Sequence, residues 1–522
     1  MLRKVRRVRR AFGRPAVALI GGLALSMAAD IAAEAADRDD TSITIYSSAQ
    51  PGAVPPELYR PVQGMGMPNG VGVPGYAIVR HERPVSLAAG RSNVRFTDVA
   101  ALIDPTTVQF SSLTDPDNTR VLEQNFQFDL VSTRKLLLKF IDKPLILERV
   151  VGDEIKTLSG TLLSAADGLV LRGGDGQIYA VRDYSNIRFP ELPGGLITRP
   201  TLEWDVSARR GGEHRTRVSY QTGGVTWWTD YNLTFSDGTD ANSGLLDVGA
   251  WVSIINQSGA SYPNARLKLI AGDVQRVQPP QPGLYKARAM EAMAVAADER
   301  GFDEKAFFEF HLYTLGRRTT LPDNSTKQIE LFDAARRVPA RKTLVYYGQG
   351  PIGYWHPDPV VDREYGNQSN RKVDVYLEFK NEEKVGLGIP LPAGRIRVAQ
   401  ADKADGSLEF IGEDVIDHTP KDEQVRVKLG SAFDVVGERR QVDFSVNTTA
   451  KWLEEEIEVK LRNHKAEAVT VIVKENLYRW SNWQIKSSTH RYDKEDARTV
   501  HIPVTVAKDG ETVVRYRVRY SW

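Results

Sequence analysis

The sequence predicts a mainly β protein with little helix, in which several sandwich-like or barrel-like domains follow one another along the chain. Three observations support this class. The chain has 522 residues, of which 41% are apolar and 26% are charged. This length is too great for one hydrophobic core. From residue 76 onwards it consists of short alternating runs separated by Gly, Asp and Asn. Neither a long heptad pattern nor a repeat of fixed period is evident.

The clearest strands lie at the C-terminal end. In "EEEIEVKLRN", Ile457, Val459 and Leu461 fall on one face and charged residues fall on the other. In "ETVVRYRVRYSW", arginines alternate with a second apolar face made of Val514, Tyr516, Val518, Tyr520 and Trp522. Alternation of this kind is typical of a sheet with one buried and one solvated side. We therefore expect a sandwich-like domain at this end of the chain.

Changes in composition divide the chain into segments. Residues 36–75 are rich in Pro and Gly and are interpreted as a linker. Asp-Gly and Gly-Asp turns between short apolar runs predict a module of short strands over 126–199. The other predicted segments are an export signal over 1–35, an N-terminal β region over 76–125, a central β domain over 200–420 and a C-terminal domain over 421–522. A Pro-flanked excursion near 276–303 holds the one plausible helix, Lys286–Glu299, for which a mobile loop is the equal alternative.

Residues 1–35 have the three parts of an export signal. The basic start "MLRKVRRVRRAFGRP" is followed by the apolar run Ala16–Ala29 and then by Ala33-Glu34-Ala35, which predicts cleavage after Ala35. The alternative is an uncleaved leader that anchors the chain at the outer face of the inner membrane. Because Arg9-Arg10 resembles the core of a twin-arginine signal, the Sec and twin-arginine routes both stay open. The expected location is the periplasm or the cell surface. No later run is apolar and long enough to span a membrane.

The net charge of +2 belongs largely to this leader. Residues 1–35 carry seven basic and two acidic residues, so the rest of the chain has a net charge of −3. Binding to nucleic acid depends on neutralising phosphates, and a slightly acidic body therefore indicates no nucleic-acid partner. The partners expected instead are an envelope polysaccharide or an envelope protein.

The chain contains no cysteine, which excludes disulfides, thiolate zinc sites and cysteine nucleophiles. No two of its eight histidines fall within four residues of each other, so no HExxH motif occurs. A hard-cation site is one interpretation of "WHPDPVVDREYGN", which gathers His356, Asp358, Asp362 and Glu364 without the spacing of an EF-hand. A G-x-S-x-G elbow and a phosphate-binding glycine loop are also missing. The sequence thus predicts no metal site and no cofactor.

Adjacent tryptophans in "TGGVTWWTDYNLTF" raise the question of which strand faces are buried. Alternation places Trp227 on the apolar face and Trp228 on the polar face beside Asp230. An indole on that face is either covered by a neighbouring domain or exposed as a stacking platform for a ligand. Two tryptophans in "YRWSNWQI" leave the same alternatives open. The predicted ligand contacts, all aromatic, are Trp228, Trp480, Trp483, Tyr354 and Trp355.

Several stretches together resemble the bacterial exported branch of the family called domain of unknown function 4139, often labelled mucoidy-inhibitor-like. They are "TGGVTWWTDYNLTF", "DVGAWVSIINQSGASYPNARLKLIAGDV", "FFEFHLYTLGRRTTLPDNSTKQIELF" and the C-terminal "IEVKLRNHKAEAVTVIVKENL". The resemblance covers about residues 200–522, with a weaker similarity at 76–115. It implies a mostly β, often exported protein with a link to surface polysaccharide and with no accepted catalytic residues. Many relatives place a coiled coil where this chain has the short strands around 126–195.

The sequence therefore favours a non-catalytic, β-rich protein of the cell envelope that binds an envelope component or a protein partner. The first alternative is a hydrolase acting on envelope polysaccharide or peptide, which would need two carboxylates or a Ser-His pair in one cleft. The second is a scaffold that holds other proteins through exposed strand edges.

Overall fold

The prediction of a mainly β protein is confirmed. A computed structural model describes residues 39–46, 54–59, 72–151, 154–272, 274, 302–349, 357–366 and 369–522. Most of these residues are in strands; the helical segments among them are α1 (Pro56–Tyr59), α2 (Thr133–Lys139) and a 3₁₀ turn at Glu383–Val385. Within the described ranges, no helix has the length and apolar character needed to cross a membrane.

Two compact units divide the described chain. Unit 1 comprises the described parts of 39–43, 78–222 and 258–265, and unit 2 comprises the described parts of 44–77, 223–257 and 266–522. The strands wholly or mostly in unit 1 are β1 (Asp40–Tyr46), β2 (Tyr76–Leu87), β3 (Gly90–Thr97), β4 (Ile103–Ser112), β5 (Thr119–Gln127), β6 (Pro144–Val151), β7 (Glu154–Ser164), β8 (Leu169–Gly173), β9 (Ile178–Val181), β10 (Asn186–Arg188), β11 (Thr201–Ala208) and β12 (Gly212–Thr222).

Unit 2 holds the remaining strands, several of which are long. They are β13 (Val225–Asp237), β14 (Ser243–Asn256), β15 (Tyr262–Ala271), β16 (Phe302–Phe307), β17 (Phe310–Leu315), β18 (Thr319–Leu321), β19 (Ser325–Tyr346), β20 (Lys372–Lys380), β21 (Gly394–Ala401), β22 (Leu408–Ile416), β23 (Gln424–Asn447), β24 (Trp452–Asn463), β25 (Val469–Asn476), β26 (Trp483–Ser488), β27 (Asp493–Lys494), β28 (Thr499–Val506) and β29 (Gly510–Ser521).

In unit 1, strands β1, β2, β12 and β4 lie side by side in that order, and β11 lies between β3 and β5 in an antiparallel sheet. Leu202 of β11 is opposite Phe96 on one side and Phe126 on the other. Residues 201–222 thus belong with the N-terminal β region. The boundary expected between residues 199 and 200 does not separate the compact units, because long-range strand pairing, rather than composition, decides which segments share a core.

Strands β6 to β10, which fall in the segment interpreted as a short-strand module, form an antiparallel sheet in the order β10-β6-β7-β8-β9. Helix α2 precedes it, and the Ser132 side chain accepts a hydrogen bond from the Lys135 N–H at the start of that helix. Gly168 has φ of 90°, a left-handed conformation that favours glycine in the turn between β7 and β8. The core of the module is made of buried side chains from the helix and the sheet: Leu137, Phe140, Leu145, Leu147, Leu162, Leu169 and Leu171.

Unit 2 contains, within its described residues, a sheet of 13 strands whose main path runs β22-β21-β13-β14-β19-β20-β23-β24-β29-β26. β20 pairs with β23, where Leu377 is opposite Val427, so the expected boundary between residues 420 and 421 falls within one unit. The alternation predicted at the C-terminal end is confirmed, since Ile457 and Val518 are fully buried in a core shared with β25 and β28. Strands β27, β28 and β25 pair in that order beside this core.

The described parts of residues 36–75 differ from the linker expected there. They include strand β1 and helix α1, and the side chains of Val54 and Leu58 are buried. A Pro- and Gly-rich composition does not prevent a segment from contributing a few apolar side chains to a larger core. The leader with Ala35 and the helix predicted at Lys286–Glu299 lie outside the described residues.

Candidate binding cleft in unit 1

A cleft of about 790 Å³ opens in unit 1. Its walls come from stretches that are distant in sequence: the start of β1, the middle of β2, the turn after β3, and residues 198–200 and 259–264. Its volume lies within the range of small-molecule sites. The charged and hydrogen-bonding side chains that line it include Asp39, Thr41, His81, Arg83, Asp98 and Arg199.

Strand β2 supplies the two central side chains of the cleft. Strand alternation places His81 and Arg83 two residues apart on the same face of β2. Asp98 follows the last residue of β3 and has φ of 66°, a left-handed conformation that Asp adopts more readily than most residues. These three side chains therefore reach one cleft because a strand and a tight turn present them.

His81 is half-buried and hydrogen-bonded through both ring nitrogens. Nδ1 is 3.1 Å from the Thr41 hydroxyl, and Nε2 is 3.1 Å from the Tyr220 hydroxyl. Burial, reinforced by the charge of Arg83, lowers the pKa of His81 from 6.5 to about 4. At neutral pH the imidazole is therefore uncharged, with one nitrogen donating and the other accepting a hydrogen bond.

We expect this histidine to make the stability of the protein depend on pH. The unfolded chain protonates the side chain below pH 6.5, whereas the folded chain does so only near pH 4, so stability falls as the pH falls through this window. The full shift corresponds to roughly 3 kcal/mol. Urea unfolding of wild type and of His81→Gln at neutral pH and near pH 4 measures the difference. If both proteins lose the same stability on acidification, this account of His81 is wrong.

The charged side chains of the cleft contact an aromatic ring, a backbone carbonyl oxygen and one another. The Arg83 guanidinium lies 3.4 Å from the centroid of the Phe96 ring and donates to the Thr97 carbonyl oxygen at 2.9 Å. Burial lowers the pKa of Arg83, and the carboxylates of Asp39 and Asp98 oppose this effect. Arg199 forms an ion pair with Asp98. The cleft thus offers both carboxylate acceptors and guanidinium donors, the groups that hydrogen-bond polyhydroxylated ligands.

A Ser-His pair, one arrangement that a hydrolase could use, occurs in unit 1. Ser112 Oγ lies 2.9 Å from His214 Nδ1, and His214 Nε2 is 3.0 Å from the Arg210 carbonyl oxygen, as in a Ser-His pair. However, Ser112 is 1% exposed and His214 is 2% exposed, and neither lines the cleft. A nucleophile must reach its substrate, so this arrangement is that of a buried structural hydrogen bond.

The predicted ligand contact Trp228 is covered in this structure. It is 8% exposed and packs in unit 2 against Val54, Leu58 and Ile255, with the Tyr59 ring 5.5 Å away. Its indole N–H donates to Asp230 Oδ2 at 2.8 Å. The cover comes from residues of the segment interpreted as a linker, rather than from a neighbouring domain. Stacking of a ligand on Trp228 would require this segment to move away.

The other predicted aromatic contacts lie apart from the cleft or outside the described residues. Trp480 and Trp483 are half-buried against the C-terminal core of unit 2. The Trp483 N–H donates to the Ala497 carbonyl oxygen at 2.8 Å, and the Lys494 ammonium lies 5.0 Å from the ring. Tyr354 and Trp355 are not among the described residues. A ligand-binding role of these four residues stays a prediction.

The loop considered as a cation site binds a guanidinium of the protein itself. Arg479 donates from Nη1 to the carbonyl oxygens of Val360 and Asp362 at 3.1 and 2.7 Å, and from Nη2 to those of Arg363 and Tyr365. Its Nε donates to Glu455 at 2.9 Å. In the described parts of the chain, no group of three or more His, Asp or Glu side chains is placed to hold a metal ion.

Comparison with known proteins adds no relative to this description. No family model, no curated protein and no solved structure matches the chain. Sequence reasoning missed the cleft, and the available signal was weak. The run "VRHERP" places His81 and Arg83 on one face of a predicted strand, where apolar residues would be ordinary.

Proposed function

We propose that this protein is a non-catalytic binding protein of the cell envelope and that the cleft of unit 1 holds a polyhydroxylated envelope component, a glycan. The observation that carries the proposal is the combination of a volume of about 790 Å³ with carboxylates and guanidiniums on its walls, among them the ion pair of Asp98 with Arg199. Sugars bind through many hydrogen bonds to such planar polar groups. Export through the leader and the resemblance to the domain of unknown function 4139 family belong to the same proposal.

A binding role is favoured over hydrolysis by the state of the polar groups. The imidazole of His81 is uncharged at neutral pH, and both of its nitrogens contact hydroxyl groups of the protein. The Ser112–His214 pair is buried away from the cleft. A general base must be within reach of the proton it abstracts, and these two histidines are already engaged.

Co-sedimentation with native cell-envelope fractions tests the proposal. The purified chain should be retained with the envelope and should release no soluble sugar or peptide. Asp98→Asn should reduce retention about tenfold, because it removes the ion-pair partner of Arg199 and a negative charge near Arg83, a change of the size measured for charge-assisted hydrogen bonds. Asn tolerates the left-handed conformation of residue 98, so the backbone is preserved.

Asp117→Asn is the matched control, since Asp117 is exposed and does not line the cleft. Equal retention of wild type and of both variants would remove the cleft from the proposal. Release of soluble sugar or peptide, abolished by Asp98→Asn, would assign the protein to the hydrolases instead.

A further inference from the structure

A second concavity in unit 1 lies on the five-stranded sheet and shares no lining residue with the cleft. This groove, lined by 147, 149, 156–158 and 179–184, has a volume of about 340 Å³. Leu147 and Leu158 contribute apolar surface, whereas Arg149, Lys156 and Arg182 contribute three exposed cations. The groove therefore combines an apolar base with a concentrated positive charge.

Two of these cations lie side by side on neighbouring strands. In the antiparallel register of β6 and β7, Arg149 is directly opposite Lys156. Side chains in such positions have Cβ atoms only about 5 Å apart, and like charges there are destabilising. Folding the sheet in this register thus carries an electrostatic cost.

The protein does not offset this charge within the part of the chain that the structure describes. No described Asp or Glu forms an ion pair with Arg149, Lys156 or Arg182. Elsewhere in the same sheet, Arg188 pairs with Glu148. The one acidic residue that lines the groove is Asp183, which leaves a net charge of +2 from the four charged groups. A patch that carries excess positive charge among the described residues, and that includes a like-charge pair, is suited to an anionic ligand that supplies the missing charge.

Two tyrosines limit the kind of anion. Tyr179 is half-buried, and its hydroxyl donates to Asp175 Oδ2 at 2.5 Å, which holds the ring in place. The Tyr184 ring is 40% exposed at the end of the lining segment. Aromatic faces beside cations are suited to a ring-shaped ligand that carries negative charge.

We propose that the groove on the five-stranded sheet is a second binding site, which takes glycans bearing carboxylate or sulfate groups. The cations contact the acidic groups, and the tyrosine faces contact the sugar rings. The site shares no lining residue with the cleft, where Asp98 and Arg199 form an ion pair. Its occupation is also expected to depend strongly on salt, because exposed charges are screened within about 10 Å at 0.1 M ionic strength.

Calorimetric titration of the full chain with an oligogalacturonate of defined length tests the inference. We expect binding that weakens between about 0.01 M and about 0.15 M salt. Arg149→Gln and Lys156→Gln should each weaken it about two- to fivefold, the range of exposed ion pairs, and the double variant about tenfold. Arg172→Gln is the matched control, as Arg172 is an exposed cation of the same sheet outside the groove.

The thermal stability of the protein without ligand gives a second test of the inference. Lys156→Gln removes the like-charge contact with Arg149, so its thermal unfolding midpoint at low salt should rise while its affinity for the oligogalacturonate falls. If Lys156 instead stabilised the fold, Lys156→Gln would lower the thermal unfolding midpoint. A lower midpoint together with unchanged affinity would overturn the inference.

Two further titrations distinguish the groove from other sites. Equal binding of a neutral maltooligosaccharide would overturn the role of charge, and tighter binding of a single-stranded oligonucleotide would assign the groove to nucleic acid instead. Asp98→Asn, which alters the cleft, should leave oligogalacturonate binding unchanged. Loss of binding in that variant would place the anion in the cleft and refute a second site.

Discussion

Arg479→Ala is expected to lower the free energy of unfolding by about 3–5 kcal/mol, the usual cost of removing one partner of a buried ion pair. Arg479 is 1% exposed and Glu455 is 2% exposed, so the variant leaves a buried carboxylate without its cation. The same substitution removes the donors that hold the carbonyl oxygens of residues 360–365. Urea unfolding followed by tryptophan fluorescence gives the free energy.

Proteolysis of this loop tests the loss of the Arg479 hydrogen bonds independently of the unfolding measurement. Trypsin should cleave after Arg363 faster in the variant, because the loop backbone no longer has its hydrogen-bond donors. The double variant Arg479→Met with Glu455→Leu should regain part of the lost stability, since it leaves no uncompensated charge.

An exposed ion pair is the control for this prediction. Arg491 and Asp493 are paired at 3.3 Å with both side chains mostly exposed, and Arg491→Ala should cost less than about 1 kcal/mol. If Arg479→Ala costs as little as Arg491→Ala, the buried pair has no special role in holding the loop.

Trp228→Ala is expected to cost about 3–5 kcal/mol of stability, as for other large-to-small substitutions of buried aromatic residues. The indole packs against Val54 and Leu58, so the variant leaves a cavity under helix α1. Trp228→Phe keeps most of the packing and loses the hydrogen bond to Asp230, so its cost should be about 1–2 kcal/mol. Urea unfolding measures both.

Trp251 provides a matched control on the adjacent strand. It is opposite Asp230 in the pairing of β13 with β14, yet it is 40% exposed. Trp251→Ala should therefore change the stability by about 0.5 kcal/mol. If Trp228→Ala leaves the stability unchanged and abolishes envelope retention, the indole is a ligand contact and its packing role is refuted.

Sequence periodicity predicted the strands that have one buried side. In β24 and β29 the side-chain period of two is a local property of the backbone, and the burial of Ile457, Val459 and Val518 follows directly from it. The same periodicity correctly assigned Trp227 to the core. It described Trp228 only as lying on the opposite face. Alternation contains no information about what covers that face, which here is a distant segment around Leu58.

The two candidate sites were beyond sequence reasoning for a similar reason. In the cleft, Asp39, His81 and Arg199 come from separate segments and meet only after the chain has folded. In the groove, Arg149 and Lys156 are close in sequence, but their opposition depends on the register of the β6–β7 pair. Neither a motif nor a composition bias records such juxtapositions.

The sequence by itself determined the mainly β character, the alternating faces of the strands and the absence of cysteine chemistry. These properties depend on neighbouring residues and on residue types, which can be read directly from the chain. Only the tertiary structure decided that residues 201–222 belong to unit 1, that Trp228 is covered, and that cations and carboxylates line the cleft. Such properties depend on contacts between residues far apart in the chain, and the register and packing of whole sheets determine those contacts.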